Sequence, residues 1–429
     1  MRDDGTEDVG GQPGGAGTEI LLRFARTGHD AGYPTADLEE RVLALATSLG
    51  LVGAEISATP TVVEVSVGAS PDQRSYTLRV RPAVVDLDAI ARLDALVQDV
   101  LDGAVETDAV LVRLSEIRDG PLERPWPILL AAYALAGAAL TPVLGGGWRE
   151  AAAGAIVGLV VGAIALPARR AARTEPVVAP VAAVAASFSA VSLARLNLEA
   201  SPDIVTLAAL VTFLPGMTLT IGMRELSTEH LQSGVANTAS ALVQLLGLVF
   251  GVGVGRSIAV SWFGSVSGST ADTAFTGVHL LAAVAAGIAF TITLRARSRD
   301  ATVMCAATVL ALAANEVGIL VFGKDASAFV AALVVGVVGG VAGSLLRRSS
   351  LVFIVPGVLM LVPGSAGFTS VLQLLANQTV SGITAGFDTF VTAMSIAYGL
   401  MIASVILPRR FASIQPTRAD AAGARESTS

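Results

Sequence analysis

The feature that most constrains this fold is a succession of long apolar runs between Trp126 and Leu407. We count ten runs, and each is long enough or nearly long enough to cross a hydrocarbon layer of about 30 Å as a helix. With 53% hydrophobic and 15% charged residues, the chain has the composition of a polytopic α-helical membrane protein. The predicted spans are residues 128–144, 151–167, 177–194, 204–222, 234–255, 276–294, 301–321, 327–346, 351–368 and 386–407.

Three Pro-Gly pairs interrupt these runs, at Pro215-Gly216, Pro356-Gly357 and Pro363-Gly364. Proline removes a backbone donor and clashes with the preceding turn, so we expect the pairs to open their helices. They lie in the fourth and ninth runs, which correspond if ten spans divide as five plus five. A five-span repeat must insert its second copy upside down, so the sequence predicts an inverted repeat. Breaks at matching places of two halves point to the substrate site of a secondary transporter.

Basic residues in the short loops predict the orientation, because cytoplasmic loops collect Lys and Arg. If both termini are cytoplasmic, thirteen arginines flank the inner ends of the spans and four basic residues flank the outer ends. The inner residues are Arg118, Arg124, Arg169, Arg170, Arg173, Arg224, Arg295, Arg297, Arg299, Arg347, Arg348, Arg409 and Arg410, and the outer ones are Arg149, Arg195, Arg256 and Lys324. We therefore predict a multi-pass protein of the cytoplasmic membrane with both termini inside.

The part before the apolar runs, residues 18–122, is predicted to form a small cytoplasmic α+β domain. Apolar residues at helical spacing predict helices at both of its ends, and Val62–Val67 and residues 76–80 predict a strand pair around a turn. Residues 1–17 and 408–429 are polar and rich in small residues, and we predict that both tails are disordered. The membrane modules are predicted at 126–255 and 276–407.

Ionisable groups at membrane depth are candidates for function because they are costly to bury there. Glu316 in the seventh span and Asp388 at the start of the tenth are predicted to bind a coupling proton. An interfacial position of either carboxylate is the structural alternative. Asn237 and Gln244 are seven residues apart, hence on one face of the fifth span, where they can bond a polar substrate or a neighbouring helix.

Several function classes lack their residues in this sequence. The net charge of -7 comes with no basic patch, so nucleic acid is not an expected partner. Three scattered histidines and the single Cys305 predict neither a metal site nor a disulfide, and we expect no cofactor and no catalytic residues. A membrane-anchored enzyme or a regulatory protein acting through residues 18–122 remains the alternative, although His29 and Asp30 form no recognisable triad pattern. The sequence leaves open whether the chain forms a homo-oligomer.

The motifs together resemble the threonine/serine exporter family, over most of residues 18–407. The residues that carry the resemblance are Gly32, Tyr33, Pro34 and Thr35, Leu49 and Gly50, the segment 88–117, Pro215 to Thr218, Arg224 to Leu226, Gly234, Val355 to Gly357 and Leu361 to Ser365. Both modules of the family are present in the family's order: a cytoplasmic portion with five spans, then a second five-span portion.

This resemblance implies export of threonine and serine across the cytoplasmic membrane, driven by the proton motive force. It carries over Arg224 and Gly234 as motif positions and places Pro215, Gly216, Pro356, Gly357, Pro363, Gly364 and Ser365 in the predicted substrate site, to which we add Asn237. Members of the family often have arginine near the position of Asn237, so the missing charge bears on the substrate more than on the fold.

Overall fold

The computed structural model describes residues 15–69, 71–81, 85–120, 124–168, 175–198, 200–264, 276–346, 348–361, 363–375 and 378–407. These residues form two compact units. The first contains the described residues up to 85 and those from 89 to 120, and the second contains 86–88 and those from 124 to 407. The predicted disordered tails lie almost wholly outside the described residues, so their disorder stays a prediction.

The first unit combines helices with a small sheet. Its elements in chain order are α1 (Ala16–Asp30), α2 (Thr35–Ser48), β1 (Glu55–Ala58), β2 (Val62–Val67), β3 (Arg74–Arg79), α3 (Leu87–Leu101) and α4 (Thr107–Asp119), with the first two residues of α3 belonging to the second unit. The predicted strand pair corresponds to β2 and β3, which are antiparallel, with Val63 opposite Leu78. Strand β1 was not predicted, because its four residues contain one large apolar side chain.

Buried charges hold α2 against α3 in the first unit. The guanidinium of Arg41 pairs with the carboxylate of Asp94, and both residues are buried. The hydroxyl oxygen of Tyr33 lies 2.7 Å from Asp94 Oδ1, and the guanidinium carbon of Arg41 lies 4.8 Å from the centre of the Tyr33 ring. Burial, followed by the Asp94 carboxylate, raises the pKa of Tyr33 well above its ordinary value. This cluster keeps a charged pair satisfied inside an apolar core.

All secondary-structure elements among the described residues of the second unit are helices. Its helices in chain order are α5 (Trp126–Val143), α6 (Trp148–Ala168), α7 (Glu175–Leu193), α8 (Pro202–Ala209), α9 (Gly216–Ser227), α10 (Leu231–Phe263), α11 (Thr276–Thr293), α12 (Ala301–Phe322), α13 (Lys324–Leu346), α14 (Leu351–Leu361), α15 (Pro363–Leu375) and α16 (Thr379–Ile406).

Eight stretches among the described residues are long and apolar enough to span a membrane, as expected of a polytopic membrane protein. They are Trp126–Val143, Trp148–Ala168, Val177–Leu196, Leu231–Phe263, Ser298–Phe322, Ala326–Leu346, Leu351–Leu374 and Thr379–Ile406. A ninth span exists if the bent pair formed by Pro202–Ala209 and Val211–Ser227 counts as one. The predicted sixth span corresponds to α11, whose apolar part Val278–Thr293 is shorter. The count of ten spans and the inverted repeat therefore stay predictions.

The three Pro-Gly pairs behave differently from one another. Pro215 directly precedes α9, and the chain bends by 50° between α8 and the segment that contains α9. The described residues of α15 begin at Pro363, directly after residue 362, and residues 351–374 together are long and apolar enough to form one span. The expectation that Pro356 and Gly357 open their helix is wrong, because α14 runs through them. Pro356 lies in the second turn of α14, where the missing donor removes only one early hydrogen bond.

Glycines that recur every four residues, Gly154, Gly158 and Gly162 on α6 and Gly247, Gly251 and Gly255 on α10, lie at helix crossings, where small residues permit close packing. A Cβ atom on Gly158 would lie 2.4 Å from the Tyr133 carbonyl oxygen of α5. On Gly255 of α10 it would lie 2.2 Å from the Val184 carbonyl oxygen of α7. These distances are far below normal contact, so the helices approach as closely as they do only because the side chain is absent.

Candidate functional site

The first and last of the three Pro-Gly pairs, Pro215-Gly216 and Pro363-Gly364, lie next to each other in the second unit. A Cβ atom on Gly364, at the start of α15, would lie 3.0 Å from Leu214 Cβ and 3.1 Å from the Gly216 nitrogen at the start of α9. Segments nearly 150 positions apart thus touch through their backbones. The structure brings together Gly216 and Gly364 of the predicted substrate site, with Pro215 and Pro363 next to them in sequence.

The other predicted substrate residues lie at different places. Pro356 and Gly357 are buried inside α14, and a Cβ on Gly357 would lie 2.7 Å from Val335 Cγ1 of α13, so this pair serves helix packing. Ser365 is partly buried in the first turn of α15, and its carbonyl oxygen accepts a hydrogen bond from Thr369 Oγ1 at 3.0 Å.

Backbone carbonyls at the first break find side-chain donors. The Gln244 amide of α10 donates to the Phe213 carbonyl oxygen at 2.9 Å, and Thr220 Oγ1 donates to the Gly216 carbonyl oxygen at 2.9 Å. A carbonyl opened by a helix break in an apolar medium needs such a partner. Gln244 therefore stabilises the break. Nearby, Thr212 Oγ1 is buried without a hydrogen-bond partner.

Asn237 contacts a buried carboxyl group that the sequence analysis did not select. Its Nδ2 donates to Glu225 Oε2 at 2.7 Å, and Glu225 is only 2% exposed. The second carboxyl oxygen, Oε1, has no hydrogen-bond partner, and neither does Thr238 Oγ1. Glu225 was not predicted as a site residue, because the predicted fourth span ends at residue 222 whereas α9 continues to Ser227. A helix extended beyond the apolar run would have included Glu225, which lies ten residues after Pro215.

A constant spacing of 148 residues relates the helices that follow the two breaks. Pro215 and Gly216 correspond to Pro363 and Gly364, and Leu226 and Gly234 correspond to Leu374 and Gly382. A Cβ on Gly234 would lie 2.8 Å from the Leu226 backbone nitrogen, and one on Gly382 would lie 2.9 Å from that of Leu374. The same packing contact therefore recurs in both halves.

One backbone hydrogen bond at the ends of these helices matches as well. The His230 backbone nitrogen donates to the Glu225 carbonyl oxygen at 2.9 Å, and the Gln378 nitrogen donates to the Gln373 carbonyl oxygen at 2.9 Å. Glu225 and Gln373 thus occupy equivalent positions, and Gln373 Oε1 is likewise buried without a partner. One position carries an ionisable side chain, and the other carries its neutral counterpart of the same shape.

Glu316 and Asp388, the predicted proton-binding residues, lie on exposed faces of the described structure. Glu316 is exposed on α12 beside Val317 and Leu320, which are 56% and 85% exposed. Asp388 is exposed on α16 next to Phe387, which is 69% exposed. Among the described residues, neither carboxylate forms a hydrogen bond or an ion pair with the Pro-Gly pairs at 215–216 and 363–364. Their role in proton binding stays a prediction.

An open groove of about 770 Å³ lies beside α9 and α16. Its lining is almost entirely apolar and includes Met223, Phe329, Phe390, Met394 and Tyr398. Such a surface suits hydrocarbon chains better than a charged or zwitterionic solute, which needs polar partners. We therefore place the candidate substrate site at Pro215-Gly216 and Pro363-Gly364 rather than in this groove, and we treat the buried pair of Glu225 and Asn237 as a separate candidate.

Family models and relatives agree with this picture of the chain. Residues 19–259 match a family model for a threonine/serine exporter, and residues 277–406 match a second model described as "Threonine/Serine exporter, ThrE". A "Probable threonine/serine exporter" of Mycobacterium tuberculosis is 26% identical over 399 residues, covering 90% of this chain and 75% of the relative. A "Threonine/serine exporter" of Corynebacterium glutamicum is 22% identical over 391 residues, covering 88% and 80%. No solved structure matches the chain.

Proposed function

The chain belongs to the threonine/serine exporter family, and we propose that it exports threonine, serine or related small polar amino acids as a proton-coupled secondary transporter. The observation that carries the proposal is the contact between the two Pro-Gly breaks, where Gly364 meets Gly216. A membrane-anchored enzyme or a regulatory protein is the less favoured alternative, since the named relatives are exporters.

Helix ends at this contact offer the chemistry that an amino acid requires. Helix α9 begins there, and a helix N-terminus favours anionic groups through its free N–H groups and dipole. The substrate carboxylate would bind at this N-terminus, beside Gly216 and Gly364. Backbone carbonyls such as that of Phe213, now held by Gln244, would accept hydrogen bonds from the ammonium group. No buried counter-charge is needed for a net neutral zwitterion.

An inverted repeat of five plus five spans is part of the proposal. It is supported by the spacing of 148 residues after the two breaks. It is also supported by helix packing, because the contacts of α7 with α10 and of α9 with α10 have counterparts in those of α13 with α16 and of α15 with α16. An odd-numbered repeat reverses its orientation in the membrane, as in many secondary transporters. The bias of basic residues supports cytoplasmic termini.

Proteoliposomes that contain the full chain test this function. They are loaded with one labelled amino acid from a panel, and efflux is followed with and without an inwardly directed proton gradient. We expect threonine and serine to leave faster than large apolar or charged amino acids, and we expect the gradient to accelerate them. Equal, slow efflux of every compound would refute the exporter assignment.

A matched pair of substitutions locates the site. Gly364→Val places a side chain on the contact between the breaks and should abolish efflux of threonine and serine. Gly253→Val in α10 is the control, because a Cβ there meets nothing within 4 Å. Efflux that survives Gly364→Val would show that the substrate passes elsewhere.

A further inference from the structure

We propose that Glu225 is the residue that binds and releases the coupling proton, and that Asn237 holds its carboxyl group in position. This inference rests on the proposed function as a proton-coupled exporter. It assigns the proton to a buried group on α9 rather than to the exposed carboxylates of Glu316 and Asp388.

The two oxygens of Glu225 have different surroundings. Oε2 accepts a hydrogen bond from Asn237 Nδ2 at 2.7 Å, whereas Oε1 is buried without a partner. An amide N–H can donate both to a carboxylate oxygen, where the bond is stronger, and to the carbonyl oxygen of a carboxylic acid. A proton can therefore join or leave Oε1 while the bond to Asn237 persists. The residue keeps its position in both protonation states, as a reusable proton carrier must.

The fold also fixes the backbone of Glu225. Its carbonyl oxygen accepts a hydrogen bond from the His230 nitrogen at 2.9 Å, which closes the turn between α9 and α10. A Cβ on Gly222, one turn earlier, would lie 2.6 Å from Thr238 Oγ1, so α9 and α10 pack tightly beside the carboxyl group. With 2% exposure, Glu225 is closed off in this structure, and proton exchange requires α9 and α10 or α16 to move apart.

Few other titratable groups belong to the elements packed against α9, which are α10, α14, α15 and α16. Helices α14 and α15 carry none. The titratable or charged residues on α9, on the turn after it, on α10 and on α16 are Arg224, Glu229, His230, Arg256, Asp388 and Tyr398. Glu225 is buried, whereas the other carboxyl groups on these elements, those of Glu229 and Asp388, are exposed.

Gln373 supplies an internal comparison for this site. It occupies the position equivalent to Glu225 in the second half, with the same backbone hydrogen bond from the following turn and a buried Oε1 without a partner. Its amide has the same shape as a carboxyl group but cannot titrate. The two halves thus have the same local hydrogen bond and a buried side-chain oxygen at equivalent positions, and the side chain is ionisable in the first half only. This asymmetry gives a transporter one proton site on one side of its repeat axis.

The test measures exchange and coupling separately in proteoliposomes with the full chain. Labelled threonine or serine exchange at equal pH reports substrate binding and movement, and gradient-driven efflux with a trapped pH dye reports protons moved per amino acid. We expect Glu225→Gln to keep exchange within about twofold, since the amide is isosteric, and to lose both gradient acceleration and proton movement. Glu225→Asp keeps a carboxyl group and should keep both.

Three control variants separate the possible outcomes. Glu316→Gln and Asp388→Asn should retain gradient acceleration, and Asn237→Ala should shift the pH at which efflux is half-maximal while leaving exchange measurable. Gradient acceleration that survives in Glu225→Gln, or that disappears in Glu316→Gln or Asp388→Asn instead, overturns the assignment. Loss of exchange together with coupling in both Glu225 variants also overturns it, since the residue would then bind substrate or hold the fold. Absence of amino-acid exchange in the unsubstituted chain would refute the proposed function itself.

Discussion

At the scale of single residues, burial makes the stability of the first unit depend on pH through His29. Burial lowers the pKa of His29 below its ordinary value, and the nearby Asp30 carboxylate opposes this effect. The unfolded chain takes up a proton at about pH 6.5, while the folded chain resists it until lower pH. The unfolded state then binds more protons, so the free energy of unfolding falls as the pH drops below about 6.5.

His29→Gln should therefore reduce the decrease in the free energy of unfolding at acidic pH. We expect its thermal unfolding, followed on the full chain in detergent, to change less between about pH 6.5 and 5 than that of the unsubstituted protein. Burial raises the pKa of Asp30, which acts in the opposite sense at more acidic pH, so the comparison stays above about pH 5. Identical pH slopes for the two proteins would contradict the prediction.

The pair of Arg41 and Asp94 makes a second residue-scale prediction. Asp94→Asn removes the carboxylate that pairs most closely with the buried Arg41 cation and leaves the Asp37 carboxylate at 4.0 Å. Breaking a buried pair typically costs about 3–5 kcal/mol. Hydrogen exchange of α2 and α3 in the full chain should rise accordingly. Asp99→Asn is the matched control, because Asp99 and Arg113 are paired at 2.6 Å with side chains that are 43% and 46% exposed. Removing an exposed pair should cost less than about 1 kcal/mol.

At the scale of elements, the crossing of α7 and α10 depends on glycines that lie on one face of α10. Gly255→Ala places a methyl group on the Val184 carbonyl and should separate the two helices, at a cost of about 1–3 kcal/mol. Gly253→Ala is the control on the same helix, because a Cβ there meets nothing within 4 Å. The midpoint of thermal unfolding in detergent should fall for Gly255→Ala only. Equal midpoints would show that the crossing tolerates a wider spacing.

Elements were predictable from the sequence where one physical signal dominates. Apolar length located the helices of the second unit, and β-branched alternation located β2 and β3. The end of α9 was missed, because the polar residues Arg224 and Glu225 end the apolar run one turn before the helix ends. The expectation that Pro356 opens its helix was wrong, because a proline disrupts a helix less near its start than in its interior. The contact between Gly216 and Gly364 is a tertiary property that no local pattern encodes.

At the scale of the whole molecule, the second unit joins two halves that use the same devices in related places. In each half a Pro-Gly pair precedes or lies within the same helical segment, a leucine packs on a glycine of the next helix, and the backbone nitrogen of residue 230 or 378 donates to the carbonyl oxygen of residue 225 or 373. The halves differ in the side chain at that position, glutamate in one and glutamine in the other. The proposed proton site would therefore occur once, in the first half.

Alternation requires the contact between the two Pro-Gly breaks to open, and a disulfide can test this directly. Leu214 Cβ and a Cβ on Gly364 would lie 3.0 Å apart, and a disulfide needs about 3.8 Å, so a small backbone adjustment permits the bond. The single native cysteine, Cys305, is first replaced by serine, and the new cysteines are introduced into this Cys305→Ser background. The variant Leu214→Cys with Gly364→Cys is then oxidised in proteoliposomes.

We expect the reduced double variant to keep a measurable fraction of threonine and serine efflux, because cysteine is smaller than the valine of Gly364→Val. Oxidation should abolish this fraction and a reductant should restore it, because the bond locks the two halves together. A protease site inserted after Gly264 verifies the bond, since cleaved halves stay joined on a gel until they are reduced. Each single cysteine variant controls for the substitutions themselves, and both should respond to neither oxidant nor reductant. Full efflux from a completely cross-linked sample would mean that the breaks never separate, and the substrate would then have to cross the membrane away from Gly216 and Gly364.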